Sequence, residues 1–154
     1  MRTRLLVHPT PMDPSQIIES LGLQPHPEEG WYETWRGSGG PGERAAGTSI
    51  YFLLRAGEVS RWHRRDATQM WHSHAGEALE VRISMAERVT IHRLGSDVAA
   101  GERPQVVGPA GAWQTARSLG AWTLVGCTMA PAFELEGFEL AQDGWQPDRG
   151  QRAR

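Results

Sequence analysis

The sequence contains no lysine, and all 16 of its basic residues are arginines. A Schiff-base enzyme, a covalently held pyridoxal phosphate and a phosphate-binding P-loop each depend on a lysine amine. No side chain of this chain can supply that amine. The composition therefore excludes these three kinds of site before any motif is considered.

Cysteine is almost as scarce, since Cys127 is the single thiol. One cysteine cannot form an internal disulfide, and a catalytic thiolate needs a base beside it. The neighbouring residues Val125, Gly126, Thr128 and Met129 include no base. The sequence therefore predicts that Cys127 is a small buried apolar side chain rather than a nucleophile.

Long apolar runs and an excess of positive charge are also missing. No stretch approaches the roughly 18 apolar residues of a membrane span, and the run Leu5–Val7 is too short for the core of a signal peptide. A formal net charge of −2 provides no sequence-wide positive field that would attract nucleic acid. We expect a cytoplasmic protein that binds neither nucleic acid nor membrane.

What is present fits one domain, because a chain of 154 residues can bury a single core. We expect an N-terminal extension at 1–14, the domain at 15–145 and a polar, frayed tail at 146–154. One short helix is predicted at the start of the domain. Asp13 is a preferred N-cap, Pro14 suits the first helical position, Gln16 completes a capping box, and Gly22 ends the helix.

Beyond a glycine-rich loop at 36–48, short β-like runs are separated by glycine, proline, aspartate or charged pairs. The predicted strands are Thr48–Arg55, Glu58–Arg64, Gln69–His74, Leu79–Ser84, Arg88–Arg93, Pro104–Val107, Trp113–Arg117, Trp122–Met129 and Phe138–Ala141. Regular turn spacing of this kind favours a sandwich or barrel, and the helical patterns of a parallel βαβ sheet are missing. The sequence predicts an antiparallel all-β fold with one short N-terminal helix.

Three segments concentrate the polar residues of interest. Gly57–His63 is a turn that leads into a strand, Gln69–His74 is a second strand, and Gly108–Gln114 is a tight turn that starts a third. Together they resemble the two conserved motifs of the cupin superfamily. Longer strings across residues 15–142 are similar to the cupin-5 family, namely Leu23–Glu33, Ser60–Arg64, Trp71-His72, Ala100–Gln105, Pro109–Gln114 and Leu124–Thr128. The resemblance implies a double-stranded β-helix, the cupin jelly-roll barrel, in a homodimer, and it names no reaction.

The resemblance also implies where a cupin metal would bind, at the positions of His63, Arg65, Gln69 and Gln114. Imidazole is a good metal ligand, whereas arginine has no lone pair to give and amide oxygens are weak donors. We therefore expect no cofactor. A divalent metal held by His63, Gln69 and Gln114 is the alternative.

His63 is the predicted acid–base residue, with Asp66 in the following turn as the carboxylate that orients its ring. By period-two alternation, Arg61, His63 and Arg65 share one face of their strand. An arginine inside the barrel suits a phosphate or carboxylate, and Trp71 suits stacking on a sugar ring. The predicted ligand-binding residues are Tyr51, Arg61, Gln69, Trp71, His72 and Gln114.

Three functions are compatible with this set of residues. The first is an isomerase-like, epimerase-like or lyase enzyme in which His63 acts as acid and base on a polar small molecule, either sugar-like or anionic. The second is a non-catalytic module that binds or senses the same molecule. The third is a metal-dependent enzyme that uses His63, Gln69 and Gln114. We expect the first, by an analogy of fold.

Overall fold

A computed structural model describes residues 12–86 and 88–147 of the chain. The N-terminal extension predicted at 1–14 and the tail predicted at 146–154 lie mainly outside these residues. No helix within the two described ranges has the length and apolar character needed to span a bilayer.

The predicted helix is confirmed as α1, Pro14–Leu21. Both halves of the capping box form, because the Ser15 N–H donates to Asp13 Oδ1 at 2.7 Å and the Asp13 N–H donates to Gln16 Oε1 at 3.1 Å. Gly22 ends the helix in a left-handed conformation that glycine adopts without steric cost. The helix packs its buried Ile17 against Leu53 and Leu124 of the sheet.

Eleven strands make up the rest of the described fold. They are β1 Gln24–Pro25, β2 Trp31–Arg36, β3 Thr48–Arg55, β4 Val59–Arg65, β5 Gln69–Gly76, β6 Leu79–Met85, β7 Arg88–Leu94, β8 Gln105–Gly108, β9 Trp113–Ser118, β10 Trp122–Met129 and β11 Phe138–Leu140. The nine strands predicted after the glycine-rich loop agree with β3 to β11 within one or two residues. The hairpin of β1 and β2 was not predicted, because β2 is largely exposed and lacks the apolar alternation that marks a half-buried strand.

The strands form two antiparallel sheets, which confirms the predicted all-β barrel. One sheet has the order β1-β2-β3-β10-β5-β8, and the other has the order β11-β4-β9-β6-β7. The largest apolar cluster lies between the sheets and includes Phe52, Trp71, Leu79, Val81 and Val125. It extends along the barrel from the last residues of β3 to Cys127 of β10, and Ile50 packs against this cluster.

The register of the strands brings the residues at one end of the barrel together. Ile50 of β3 pairs with Cys127 of β10, which pairs in turn with Trp71 of β5. One step towards the open end, Met129 pairs with both Thr48 and Gln69. In the second sheet, Phe138 of β11 pairs with Arg65 at the end of β4. The start of β3, the start of β5 and the end of β4 therefore surround one mouth of the barrel.

Candidate functional site

A cavity of about 330 Å³ opens at this mouth. Its walls come from three sources: the first sheet supplies Ile50, Gln69 and Cys127, the β1–β2 hairpin supplies His26 and Glu28, and the opposite wall is formed by residues of β4, β11 and the segment between β10 and β11. The volume falls at the lower end of the range for small-molecule sites. The cavity can accept a small organic molecule.

Arg65 contributes a guanidinium to the cavity. The Nε and Nη1 atoms are shielded from solvent and have no hydrogen-bond partner among the described residues. The rings of Phe133 and Phe138 lie near the guanidinium carbon, with ring centres at 5.8 Å and 5.5 Å. Aromatic rings stack on the face of a guanidinium, and the N–H donors then point outward in its plane. Arg65 thus carries two N–H donors, Nε and Nη1, that no described residue pairs.

His63 lies deeper in the barrel and is only 1% exposed. Its Nδ1 atom is 2.7 Å from the carbonyl oxygen of Arg61. Burial holds the pKa of His63 well below its usual value, and the charge of Arg65 lowers it further. In the neutral ring, the contact with a carbonyl assigns the proton to Nδ1. The buried Nε2 atom, which has no partner among the described residues, therefore carries an available lone pair.

The β1–β2 hairpin brings His26 and Glu28 to the same place. Burial raises the pKa of the Glu28 carboxyl, although the charges of Arg65 and Arg61 act in the opposite direction. Its Oε2 atom is 3.7 Å from His63 Nδ1 and has no hydrogen-bond partner in the described part of the chain. Burial also lowers the pKa of His26 to about 4, and the charge of Arg65 adds to this effect. Both histidines are neutral at pH 7.

Two glutamines and a tryptophan line the interior behind the cavity. Gln114 pairs with His63 across β4 and β9, and its Oε1 atom accepts a 2.8 Å hydrogen bond from Trp71 Nε1. Gly108, which pairs with Gln69, approaches the Gln114 side chain closely enough that no larger residue fits there. The structure thus brings together His63, Gln69, Trp71 and Gln114, as predicted. It makes Trp71 a core residue with a satisfied N–H, rather than a cavity wall.

The donor set does not fit a metal ion. At the three other ligand positions that the resemblance implies stand a guanidinium and two amides, of which only the amide oxygens can donate to a metal, and weakly. The Gln114 Oε1 atom is already occupied by the Trp71 N–H. In residues 12–86 and 88–147, no three His, Cys, Asp or Glu side chains are grouped in a way that could hold a metal.

Arg61 does not share a face with His63, and the predicted position is wrong. Ser60 pairs with Ala116 and His63 pairs with Gln114, so that Arg61 and Trp62 together stand opposite the single residue between those partners. This bulge inserts one residue and reverses the alternation. Arg61 turns outward, where it forms an ion pair with Asp143. Arg65, which lies after the bulge, is the arginine that lines the cavity.

Asp66 is also elsewhere than predicted. Its two carboxylate oxygens accept hydrogen bonds of 2.9 Å and 2.8 Å from Arg44, and these bonds lower its pKa. The carboxylate beside the His63 ring is that of Glu28. The turn after β4 directs Asp66 to Arg44 in the glycine-rich loop. The carboxyl group near His63 comes instead from the β1–β2 hairpin, which alternation along β4 could not show.

Tyr51 and His72 lie on the outer face of the first sheet. Both pair with Gly126, so they share its side, and Tyr51 is 45% exposed. Glu33 pairs with Tyr51 and lies on the same face. His74 packs its ring edge-on to Tyr51 at 6.0 Å, above Gly126. The structure therefore separates Tyr51 and His72 from the cavity for which they were predicted.

The residues that sequence reasoning missed are His26 and Glu28. Both lie in the turn that joins β1 to β2, and β2 is largely exposed and lacks the apolar alternation that marks a half-buried strand. No local signal therefore located the two residues, because the position of the turn depends on pairing between β2 and β3.

A strap formed by residues 131–138 covers one side of the cavity and is held by Arg44. Arg44 Nε donates to the Ala132 carbonyl at 2.7 Å while its two terminal nitrogens hold Asp66. We predict that Arg44→Met increases amide hydrogen exchange at Ala132 and Asp66, because the strap loses its attachment. Arg55→Met, which removes a similar pair with Glu58, is the control and should leave these amides unchanged. Equal exchange in both variants would show that the strap is held without Arg44.

Stability should fall as the pH drops from 6.5 to about 4. The folded-state pKa values of His26 and His63 lie below those of the unfolded chain, so below pH 6.5 the unfolded chain binds more protons. Glu28 opposes this change, because its raised pKa makes the folded state take up a proton first. The effect of the two histidines on stability is expected to exceed that of the one carboxyl group. The urea concentration at the midpoint of unfolding should therefore decrease as the pH falls. His26→Asn should flatten this dependence and Glu28→Gln should steepen it; a flat wild-type profile over this range would contradict the assignment.

Comparison with known proteins agrees with this architecture. The family model described as Cupin superfamily (DUF985) matches residues 15–141. A crystal structure of a protein from Shewanella oneidensis shares 39% identity, with a TM-score of 0.80, over 84% of this chain and 85% of that one. A hypothetical protein from Leishmania major shares 27% identity, with a TM-score of 0.75, over 81% of this chain and 85% of that one.

The fold is also similar to that of proteins whose sequences are much less similar to this chain. Oxalate decarboxylase from Bacillus subtilis shares 14% identity with a TM-score of 0.60, over 75% of this chain and 29% of that one. At this identity the similarity concerns the fold alone. Among curated proteins, none matches this sequence.

Proposed function

This chain belongs to the cupin superfamily, in the family DUF985, and from that premise we propose that it binds a small organic anion in its barrel and transfers protons on it. The observation that carries the proposal is the pair of buried, unpartnered N–H groups on Arg65. A buried donor without a partner costs about 1–3 kcal/mol, and a carboxylate accepts a strong, charge-assisted hydrogen bond from a guanidinium.

The charges around Arg65 support an anion rather than a neutral ligand. His26 and His63 are neutral at pH 7, and burial raises the pKa of the Glu28 carboxyl. The unpartnered Glu28 Oε2 makes no hydrogen bond to Arg65, so the guanidinium keeps donors for a ligand. Burial strengthens the attraction between this guanidinium and an anion, because the effective dielectric constant is lower than in water.

The chemistry that we propose follows from two groups whose pKa values are displaced in opposite directions. Such pairs often mark the acid and the base of an active site. Here burial raises the pKa of the Glu28 carboxyl, to which we assign the role of acid, and the His63 Nε2 atom is a base with a free lone pair. His63 takes a proton from a carbon next to a carbonyl of the ligand, and Glu28 donates its own to the carbonyl oxygen. The resulting enol returns to the ketone when both protons move back.

Glu28 and Phe138 line the cavity and both lie beside the buried His63 ring, at 3.7 Å from its Nδ1 atom and 5.9 Å between ring centres. A reacting carbon must therefore pass the cavity wall to reach Nε2. This requirement favours small ligands with the carboxylate at Arg65 and the carbonyl next to it. No step requires a metal ion, in agreement with the poor donor set around His63.

Binding is tested by isothermal titration with a panel of acetate, 2-oxobutanoate and inorganic phosphate. We expect at least one organic anion to bind the wild-type protein and Arg88→Met, whose parent side chain is exposed on β7, but not Arg65→Met. Binding that survives in Arg65→Met, or that is absent from the wild type, would refute the proposed anion site.

Catalysis is tested by proton NMR of 2-oxobutanoate in heavy water, where removal and return of a proton replaces the hydrogens at carbon 3 by deuterium. We expect the protein to accelerate this exchange. His63→Asn and Glu28→Gln should each retain binding and slow the exchange by about 10²–10⁴-fold. If the anion binds and none of the proteins accelerates exchange, the chain is a non-catalytic binding module instead.

A further inference from the structure

We propose that the ligand is a monocarboxylate with an apolar body, an inference that rests on the proposed anion site at Arg65. The first support comes from the state of the polar groups in the cavity wall. Arg36 donates to the Phe133 carbonyl at 2.7 Å, and the Thr48 hydroxyl accepts from the Phe133 N–H at 2.9 Å. Both side chains therefore already form a hydrogen bond with the strap. Among the buried polar side-chain atoms of the described wall, only those of Arg65 and Glu28 lack a hydrogen-bond partner.

Most of the remaining wall is carbon. Its apolar side chains come from both sheets and from the strap, namely Ile50, Met129, Phe133, Leu135 and Phe138. Burial raises the pKa of Cys127 to about 12, so its thiol also meets the ligand in the uncharged form. A second carboxylate or a row of hydroxyl groups placed against these apolar side chains would lose water without gaining hydrogen bonds, at a cost of about 1–3 kcal/mol for each group. The wall therefore selects against dicarboxylates and sugar acids.

We place the end of the ligand's apolar body at Leu135. It lines the cavity in the 3₁₀ turn of the strap and is nevertheless 72% exposed, a large exposed fraction for a leucine. An apolar chain that extends from Arg65 past Phe133 and Phe138 would cover it. The two rings near the guanidinium also continue this path, because both line the same cavity.

Volume limits the length of the ligand. Each water molecule takes about 30 Å³ in the liquid, so a cavity of about 330 Å³ has room for roughly ten non-hydrogen atoms. A straight-chain acid of seven or eight carbons or an aromatic acid such as phenylacetate would fill it. We therefore expect affinity to rise with chain length and to stop rising near eight carbons.

The experiment is isothermal titration with propanoate, pentanoate, heptanoate and nonanoate, compared with heptanedioate and gluconate. Each added methylene that is buried should lower the Kd about fourfold, up to heptanoate. Heptanedioate and gluconate should bind at least tenfold more weakly than heptanoate. Leu135→Ser should weaken heptanoate several-fold and leave propanoate unchanged. Leu119→Ser, at an exposed leucine in the β9–β10 turn, is the matched control and should change neither.

The outcomes separate this inference from the function on which it rests. If acids bind through Arg65 with affinities that do not depend on chain length, or if heptanedioate equals heptanoate, the apolar ligand class is wrong and the anion site stands. If no acid binds the wild-type protein, the anion site itself is wrong. If Leu135→Ser and Leu119→Ser weaken heptanoate equally, the path past the strap is refuted.

Discussion

Arg65→Met is expected to stabilise the protein while abolishing anion binding. Methionine fills a similar volume without a charge, and it needs no hydrogen bond at the buried Nε and Nη1 positions. Replacing a buried charged group by a well-packed apolar one typically adds about 1–3 kcal/mol to the free energy of unfolding. Glu28 is left without its cationic neighbour, but it can take up a proton because burial already raises its pKa.

Urea unfolding of wild type, Arg65→Met and Arg88→Met measures this effect. Arg88 is exposed, so its replacement is expected to change stability by less than about 0.5 kcal/mol. The titration of His26, followed by NMR, adds a second measurement. Its pKa should rise in Arg65→Met, because the charge of Arg65 lowers it in the wild type. A variant that is both less stable and still able to bind carboxylates would mean that Arg65 serves the fold instead of the ligand.

Gly30→Ala is expected to lower the free energy of unfolding by about 3 kcal/mol. Gly30 has φ +83°, and a Cβ there would lie 2.8 Å from the Leu53 carbonyl oxygen and 2.9 Å from a methyl group of Leu54. Backbone strain accounts for about 1–2 kcal/mol, and overpacking against a rigid strand adds about 1–3 kcal/mol. The Gly30 carbonyl also accepts the His26 N–H at 2.8 Å, so the hairpin that carries Glu28 must shift.

Gly57→Ala separates the two contributions. Gly57 has a similar φ of +86°, but a Cβ there would meet no atom within 4 Å. Backbone strain alone should lower the free energy of unfolding of this variant, by about 1 kcal/mol. The variant should bind anions normally. Urea unfolding and titration with heptanoate provide both measurements. Equal losses of stability in the two variants would show that the contact with β3 costs nothing and that the hairpin can move freely.

Local chemistry explains why so much of the fold was predictable. Asp13, Pro14, Gln16 and Gly22 act through hydrogen bonds and backbone angles within a few residues, so the helix bounds were correct. The strands from β3 to β11 follow from apolar runs bounded by turn residues, which are also local signals. The positions of His63, Gln69 and Gln114 inside the barrel came from the resemblance to cupins.

The cavity was less predictable, because its residues come together through pairing over long distances in the chain. The bulge in β4 exists only in relation to β9, and it removes Arg61 from the face that His63 shares with Arg65. Glu28 reaches His63 because β2 pairs with β3 and carries the preceding turn across the mouth. Neither relation leaves a periodic pattern in the sequence.

By itself, the sequence determined the all-β class, the single helix, the lack of lysine chemistry and the neutral, buried character of Cys127. These properties depend on composition and on neighbours along the chain. Only the tertiary structure decided which arginine lacks a partner, which carboxyl accompanies His63, and where the wall is apolar. Those properties depend on burial and on contacts between sheets, because desolvation and unpaired hydrogen bonds arise only once distant segments have packed together.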